Sequence, residues 1–186
     1  GILVKKCYIK MLSLIHHLIV LLALNPIVLF DFTTSSDISK WRITDDVVMG
    51  GRSDGKFQLS ANGNGLFSGK VSLENNGGFS SVRYYLDQKE MKGLNKFVIR
   101  IKGDDKNYQF RVRAKRNEYY EYNITFKTNG DWETIDLPFN QMTPSFRGRE
   151  LNLPPFPGSN ISEIGFLISN KKAESFMLEI ESIKIQ

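Results

Sequence analysis

Histidine and cysteine, which serve most often as catalytic bases, nucleophiles and zinc ligands, occur only near the start of this 186-residue chain. Cys7 is its one cysteine, and His16 and His17 are its two histidines. Nucleophilic catalysis needs a base beside the nucleophile, and zinc sites take most of their ligands from cysteine and histidine. We therefore predict that the protein is not an enzyme and that it holds no metal and no cofactor.

Carboxylates are the remaining candidates for catalysis. Asp45-Asp46 and Asp104-Asp105 supply adjacent acids, whereas glycoside hydrolysis requires two carboxylates that flank the substrate. Adjacent acids between hydrophobic runs more often form turns, because their side chains bond to the nearby backbone. We interpret both pairs as turn residues.

Three polar segments, residues 45–51, 75–83 and 146–149, contain more Gly, Asn, Asp and Arg than turns require. Glycine pairs let the backbone approach a ligand closely, and a buried arginine such as Arg83 needs an acidic or carbonyl partner. We predict a binding site here, with loop pinning by internal hydrogen bonds as the alternative. The residues predicted to make polar contacts are Asp46, Asn76, Arg83, Asp104, Arg147 and Arg149. The residues predicted to shape the backbone are Met49, Gly50, Gly51, Gly77 and Gly78.

Aromatic rings are a further candidate surface, since rings in water can stack on sugars. The residues considered for such a platform are Trp41, Tyr84, Tyr85, Tyr119 and Trp132. We favour packing in the core and on the sheet surface, which aromatic residues serve in any β-sandwich.

The elements that position these residues are predicted to be β-strands. Apolar and polar residues alternate with a period of two from Ile27 onward, which is the pattern of a strand with one buried face. The pattern predicts an all-β fold of antiparallel sheets, arranged as a sandwich or barrel. The predicted strands are residues 27–32, 55–61, 65–74, 79–86, 97–102, 108–115, 119–126, 132–137, 162–169 and 175–185. The last strand needs a bulge near Glu181-Ser182, because the apolar residues before and after it differ in parity.

Residues 138–160 break this pattern, since five of the six prolines lie there. Proline-dense sequence is excluded from central strands. Apolar residues such as Phe139 and Phe156 favour contact with the core, so we predict an ordered, packed loop.

The formal net charge of +5 is concentrated at the start of the chain. Lys5, Lys6 and Lys10 lie among the first 30 residues, which hold no acids; without these three, 22 basic residues face 20 acidic ones. A nucleic-acid-binding protein shows a basic face or stripe. We therefore predict no nucleic-acid partner.

The lysines precede an apolar run from Met11 to Leu24, a pattern typical of a secretory signal peptide. We predict that residues 1–26 are a signal peptide or membrane anchor and that residues 27–186 form one β-sandwich domain. An uncleaved leader would keep the protein close to a membrane. A start at Met11 or later would leave it cytoplasmic.

The three polar segments, in this order, resemble the complex I intermediate-associated protein 30 family. The strings Asp-Asp-Val-Val-Met-Gly-Gly and Asn-Asn-Gly-Gly-Phe are specific, and the likeness runs from about Phe30 to Ile185. Further matching parts are Trp41, residues 69–74, residues 102–104 with Tyr108, Trp132 with residues 137–139, residues 164–168 and residues 176–180. The resemblance implies a galactose-binding-like jelly roll, an antiparallel β-sandwich.

The resemblance also implies a function. The family's eukaryotic member assists assembly of mitochondrial complex I and is not an enzyme, whereas this chain, with its export-like leader, looks like the small bacterial members. We expect a non-catalytic, assembly-factor or chaperone-like module, exported or membrane-associated in a bacterial cell envelope. Its expected partner is a protein, such as a subunit of the respiratory chain or of another membrane complex. A carbohydrate-binding module of the envelope, with a glycan as ligand, is the alternative.

Overall fold

The computed structural model describes residues 25–186 except residue 92. Nearly all of the predicted leader, residues 1–26, thus lies outside the described residues. In the described part the chain is all-β, and the strands pair antiparallel. Across these residues, no helix has both the length and the apolar character needed to span a membrane.

The strands follow the predicted order with small shifts at their ends. Their bounds are β1 Ile27–Asp31, β2 Trp41–Asp45, β3 Asp54–Leu59, β4 Gly65–Val71, β5 Ser80–Glu90, β6 Lys96–Lys102, β7 Asn107–Arg113, β8 Glu121–Lys127, β9 Trp132–Pro138, β10 Thr143–Phe146, β11 Arg149–Glu150, β12 Asn160–Ile168 and β13 Glu174–Ile185. Short 3₁₀ turns occupy Asp46–Met49, Glu74–Asn76 and Phe139–Gln141. β2, β10 and β11 were not among the predicted strands.

Two sheets form the sandwich. The six-stranded sheet has the order β3-β4-β13-β6-β9, with β1 also paired to β13. The seven-stranded sheet has the order β11-β10-β8-β7-β12-β5-β2. Neighbours in each sheet are mostly distant in sequence, so the sheets bring together side chains that the linear chain keeps apart.

The core lies between the sheets and consists of the inward residues of the alternating strands. Phe97 of β6, Phe110 of β7 and Phe166 of β12 are fully buried. The ring centroid of Phe97 lies 5.0 Å from that of Phe110, which in turn lies 5.3 Å from that of Phe166. Burial of this aromatic surface holds the sheets together. The other face of the seven-stranded sheet, called the outer face below, points away from the core.

The predicted bulge in β13 is confirmed. The register with β6 shifts between Ile180 and Ser182, with Glu181 as the extra residue. The carbonyl of Glu181 accepts a hydrogen bond from the N–H of Phe32, 2.9 Å away. The shift lets both Ile180 and Ile183 face the core, where both are buried.

Residues 138–160 pack against the core as predicted, but they are not wholly a loop, because β10 and β11 form a hairpin there. Pro144 lies within β10. Its missing N–H is tolerated because β10 lies next to the sheet edge, where β11 has only two residues. The rings of Phe139 and Phe156 lie 4.9 and 6.0 Å from that of Phe97.

We expect Phe97→Ala to lower the free energy of unfolding by about 3–5 kcal/mol, because the cavity opens between the two sheets and beneath the proline-rich segment. Val98→Ala, on the partly exposed side of the same strand, should cost about 1 kcal/mol or less. Urea denaturation followed by tryptophan fluorescence measures both. Equal losses would contradict the assignment of Phe97 to the centre of the core.

Candidate functional site

The carboxylate of Asp46 lies inside the structure and not on a binding surface. Asp46 is fully buried. Its oxygens accept hydrogen bonds from the N–H and hydroxyl of Ser53 and from the N–H groups of Gly78 and Phe79, over 2.5–3.2 Å. Asp46 thereby joins the loop after β2 to the loop before β5, as the loop-pinning alternative predicts.

The predicted glycines belong to the same arrangement. A Cβ at Gly51 or Gly77 would lie 2.2 or 2.6 Å from a carboxylate oxygen of Asp46, so a larger residue does not fit at either position. Gly50 and Gly78 have φ values of +91° and +139°, which residues with a side chain rarely adopt. Loop geometry alone accounts for all four glycines.

An apolar tip formed by Val47, Val48 and Met49 stands on these loops. All three side chains are exposed, and Asn76 is exposed in the neighbouring 3₁₀ turn. The amide of Asn75 donates to the carbonyl of Gly50 over 3.1 Å and joins the two loops. Met49, Gly50 and Asn76 are thus the predicted residues of this region that are exposed.

Asp104 lies elsewhere, in the turn between β6 and β7. Its carboxylate accepts hydrogen bonds from the hydroxyl of Tyr108 at 2.7 Å, the ammonium of Lys106 at 2.7 Å and the N–H of Met177 at 2.9 Å. Burial, reinforced by the bond to Asp104, raises the pKa of the Tyr108 hydroxyl above its usual value. These contacts tie the turn to β13.

Arg147 and Arg149 lie at the β10–β11 hairpin, and both are exposed. The guanidinium of Arg147 lies 5.2 Å from the ring centroid of Phe146. The ring of Phe146 in turn lies 5.4 Å from that of Tyr119, in the loop between β7 and β8. The hairpin and the β7–β8 loop together therefore expose two aromatic rings and two cations to solvent.

Arg83 lies on the outer face of the seven-stranded sheet. Its guanidinium donates to Glu163 of β12 at 2.6 Å and to Glu121 of β8 at 3.0 Å, which are the acidic partners that the sequence requires for it. Arg111 of β7 also donates to Glu121. Arg113 lies 3.8 Å from Glu163 and 4.0 Å from Glu121. These five side chains are called the charge cluster below.

Burial sets the electrostatics of the charge cluster, whose side chains are only 6% to 25% exposed. Burial lowers the pKa of Arg83, but the charges of Glu121 and Glu163 outweigh it and raise that pKa above its usual value. Burial also lowers the pKa of Arg111, and here the nearby charge of Arg83 adds to the effect, so the pKa stays below its usual value. The arginines thus compete for two carboxylates.

The exposed ring of Tyr85 and a cavity border the charge cluster at the end of the sheet where β7 ends and β8 begins. The cavity measures about 330 Å³ and is lined by Tyr85, Arg113, Arg116, Ser162 and Glu163. Tyr85 is 47% exposed. At the same end of the sheet, Tyr119 in the β7–β8 loop and Phe146 at the end of β10 have exposed rings. Together the charge cluster and the rings of Tyr85, Tyr119 and Phe146 form what we call the binding face.

The aromatic residues considered from the sequence divide between core and surface. Trp41 is buried, with its ring 5.0 Å from that of Tyr84 and 4.9 Å from that of Phe57. Trp132 lies on β9 in the other sheet, with Arg100 5.7 Å from its ring centroid. Packing is therefore the correct interpretation for Trp41 and Tyr84, while Tyr85 and Tyr119 reach solvent.

Sequence reasoning did not select most of the charge cluster. Arg111, Arg113, Glu121 and Glu163 each lie at an outward position of a correctly predicted strand. The signal that could have found them is the presence of opposite charges on the outward faces of several strands. Sheet order, which decides that these strands are neighbours, is what the linear pattern lacks.

The binding face consists of charged and aromatic groups that form noncovalent contacts. The carboxylates of Glu121 and Glu163 both accept hydrogen bonds from guanidinium groups. In the described part of the chain, no group of three or more His, Cys, Asp or Glu side chains is arranged to hold a metal ion. Charged, amide and aromatic groups held on a rigid sheet are suited to polar recognition and ring stacking.

The described residues form an antiparallel β-sandwich that presents charged and aromatic side chains on the outside of one sheet. The sequence shows to which family the chain belongs. The family model for Complex I intermediate-associated protein 30 matches residues 30–180. The chain belongs to that family.

Two relatives support this assignment, and both are named "Complex I intermediate-associated protein 30, mitochondrial". The Drosophila melanogaster protein is 26% identical over 184 residues, covering 86% of this chain and 62% of that protein. The Mus musculus protein is 26% identical over 181 residues, covering 85% of this chain and 55% of that protein. The chain thus spans less than two thirds of the length of either relative.

Solved structures of carbohydrate-binding modules share the fold. The family 11 module of the cellulosomal cellulase Lic26A-Cel5E of Clostridium thermocellum matches with a TM-score of 0.60 at 18% identity, covering 88% of this chain and 95% of the module. The family 11 module in complex with a β-1,3-1,4-mixed-linked tetrasaccharide matches with a TM-score of 0.59 at 16% identity, covering 86% and 94%. At these identities the likeness shows the fold alone.

We expect Asp46→Asn to lower the free energy of unfolding by about 2–3 kcal/mol at neutral pH, because an amide cannot accept all the bonds that the carboxylate accepts. Asp54→Asn, at an exposed side chain that pairs with Lys56 at 3.7 Å, is the matched control and should change stability by about 0.5 kcal/mol or less. Chemical denaturation of both variants measures the difference.

The same pair predicts a pH dependence. Burial raises the pKa of Asp46, but the hydrogen bonds from Ser53, Gly78 and Phe79 outweigh it and hold the pKa below its usual value. A depressed pKa contributes stability that is present above the unfolded-state value of about 3.9 and is lost as the pH falls through the folded-state value. The stability difference between wild type and Asp46→Asn should therefore shrink below about pH 4. A difference that stays constant down to about pH 2 would contradict this account of Asp46.

We expect Glu163→Gln to destabilise the protein by about 3–5 kcal/mol, because it leaves Arg83 and Arg113 short of a buried counter-charge. Glu181→Gln, which breaks an exposed pair with Arg100 at 3.3 Å, should cost about 1 kcal/mol or less. Thermal unfolding of the two variants under identical buffer conditions provides the measurement. If both variants lose the same stability, the charge cluster does not hold the outer face.

Proposed function

We propose that this protein is a non-catalytic binding module that acts as an assembly factor, and that its protein partner docks on the binding face. The observation that carries the proposal is the charge cluster, whose five charged side chains are held together on the outside of a sheet and bordered by the exposed ring of Tyr85, with two more exposed rings at the same end of the sheet. Membership of the Complex I intermediate-associated protein 30 family supports the assembly role. The expected partner is a subunit of the respiratory chain or of another membrane complex.

The composition of the binding face supports protein docking. Tyrosine and arginine are enriched at the energetic centres of protein interfaces, where a few residues contribute most of the affinity. Tyr85 and Tyr119 combine an apolar ring with a hydroxyl that can reach a polar partner. Four of the five side chains of the charge cluster are already hydrogen-bonded to one another, so little of their freedom remains to be lost when a partner binds.

Sheet geometry supports the same face. The cluster spans four adjacent strands, β5, β12, β7 and β8, and regular strands position side chains more rigidly than loops do. The apolar tip at Val47–Met49 lies at the pinned loops between the two sheets. It could add contact area for a large partner, but it lacks the polar groups that would set specificity.

Glycan binding is the second candidate, and the exposure of Tyr85 and Tyr119 beside polar groups favours it. The amide of Asn123 bonds to the hydroxyl of Ser145 at 2.7 Å on the same face, which adds neutral hydrogen-bonding groups of the kind that sugars use. The shared fold with carbohydrate-binding modules is an analogy, since one fold serves many functions. The burial of Trp41 reduces the aromatic surface available for stacking.

We expect the double variant Tyr119→Ala and Phe146→Ala to lose partner binding by about 30-fold or more, because truncating aromatic anchors at an interface typically costs at least about 2 kcal/mol. Both side chains are exposed, so the fold should persist. Met177→Ala, at an exposed side chain of the other sheet, is the control. Cells lacking the protein are complemented with each version, and assembled respiratory and envelope complexes are quantified on native gels.

Wild type and Met177→Ala should restore the complexes, while the double variant should not. If deletion leaves every complex intact, or if the double variant restores them fully, the assembly role on this face is wrong. A glycan array serves the second candidate: saturable binding that Tyr85→Ala abolishes and Met177→Ala preserves would replace the proposal with glycan recognition. Fractionation of the same cells tests the predicted envelope location.

A further inference from the structure

The charge cluster is not electrically balanced. Of the described residues that form the cluster, three carry guanidinium groups and two carry carboxylates. The cluster therefore holds one positive charge in excess. Charges with little exposure to water are costly unless an opposite charge neutralises them. The cluster is therefore a site at which one additional negative charge would be stabilised.

Arg113 is the arginine of the cluster whose guanidinium makes no hydrogen bond to a carboxylate, although the Nε–H of Arg83 is also buried without a partner in the described structure. Arg83 and Arg111 both donate to carboxylates within hydrogen-bond distance. The guanidinium of Arg113 instead lies 3.8 and 4.0 Å from its two carboxylates, beyond the length of a hydrogen bond. Its buried Nε–H has no hydrogen-bond partner in the described structure.

The cavity of about 330 Å³ opens beside this guanidinium. Arg116, also in its lining, is weakly held, 3.8 Å from Asp87 and 3.5 Å from the carbonyl of Leu86. Glu163, the acid in the lining, has a side chain only 6% exposed, so a ligand entering the cavity meets the guanidinium groups more readily than the carboxylate. The half-exposed ring of Tyr85 forms one wall.

The chemistry of the cavity favours a carboxylate. The planar fork of an arginine matches the two oxygens of a carboxylate and can bind both at once. The lining itself holds two guanidinium groups, Arg113 and Arg116, and one carboxylate, Glu163. Its one excess positive charge balances one carboxylate, whereas a phosphate would bring a second negative charge close to Glu163. Tyr85 adds an apolar wall against which the methylene groups of an acidic side chain can pack.

We propose that the cavity beside Arg113 binds the carboxylate of an aspartate or glutamate side chain on the docked protein segment. The inference rests on the proposed function, because it supplies the ligand chemistry of the same binding face. The incoming carboxylate forms the paired hydrogen bonds that Glu121 and Glu163 are too distant to form with Arg113. Tyr119 and Phe146, at the same end of the sheet, then contact the apolar residues that flank the acid.

The test uses two probes that differ by one charge, N-acetyl-glutamate methylamide and N-acetyl-glutamine methylamide. Each is titrated into ¹⁵N-labelled protein while the arginine Nε–Hε signals are followed by NMR. We expect the Arg113 signal to shift saturably with the glutamate probe, with an affinity about tenfold or more above that of the glutamine probe. Arg113→Gln should remove this preference, and Arg52→Gln, at an exposed arginine of the loop before β3, should retain it.

Equal affinities for the two probes, or a preference that survives in Arg113→Gln, would overturn the proposal. If Arg113→Gln does not fold, the comparison of the two probes on the wild-type protein still decides. Inorganic phosphate and galacturonate are run as competing anions. Tighter binding of either at Arg113 overturns the assignment to an acidic side chain and assigns the cavity to a phosphate or to an acidic sugar.

This outcome is separable from that of the assembly experiment. In one outcome, wild type and Arg113→Gln both restore the complexes, and the double variant Tyr119→Ala and Phe146→Ala does not. This result would support docking on the binding face and refute carboxylate binding at Arg113. A glutamate preference at Arg113 in a protein whose deletion leaves all complexes intact would refute the assembly role and keep the site.

Discussion

The candidate site depends on the pairing of oppositely charged side chains on the outside of a sheet. Arg83 joins β5 to β12 and β8 by bonds of 2.6 and 3.0 Å. Burying an arginine is costly unless its charge is paired and hydrogen-bonded. The three strands must therefore keep the register that brings these groups together. On the opposite face of the same sheet, Phe110 of β7 and Phe166 of β12 anchor that register in the core. One face thus stabilises the arrangement that the other presents.

The segments that carry the family resemblance turn out to hold loops together. Asp46 closes two loops with four hydrogen bonds, and Gly51 and Gly77 leave room for its carboxylate. The residues that make the family recognisable are therefore to a large extent those that build the fold. Apart from Arg83 and Phe146, the binding face draws on positions outside those segments, such as Arg111, Glu121 and Glu163.

The likeness to carbohydrate-binding modules concerns architecture. A sandwich offers the outside of its sheets to many kinds of ligand, and the side chains placed there decide which one binds. In this protein the outside of the seven-stranded sheet is rich in arginine and glutamate. Trp41, on β2 of the same sheet, faces the core. These ionic groups are the reason for proposing a charged polypeptide as the partner before a neutral sugar.

The sequence by itself determined the all-β class, ten of the strands and the bulge at Glu181, because side-chain alternation is a local property with a period of two. It also required a partner for Arg83, since the cost of a buried charge does not depend on the fold. Only the tertiary structure decided which partner, because Glu121 and Glu163 lie 38 and 80 residues away along the chain. The order of strands in the sheet, which no local pattern encodes, places β5, β12, β7 and β8 side by side. The same long-range packing turned Asp46 inward and left Arg113 beside a cavity.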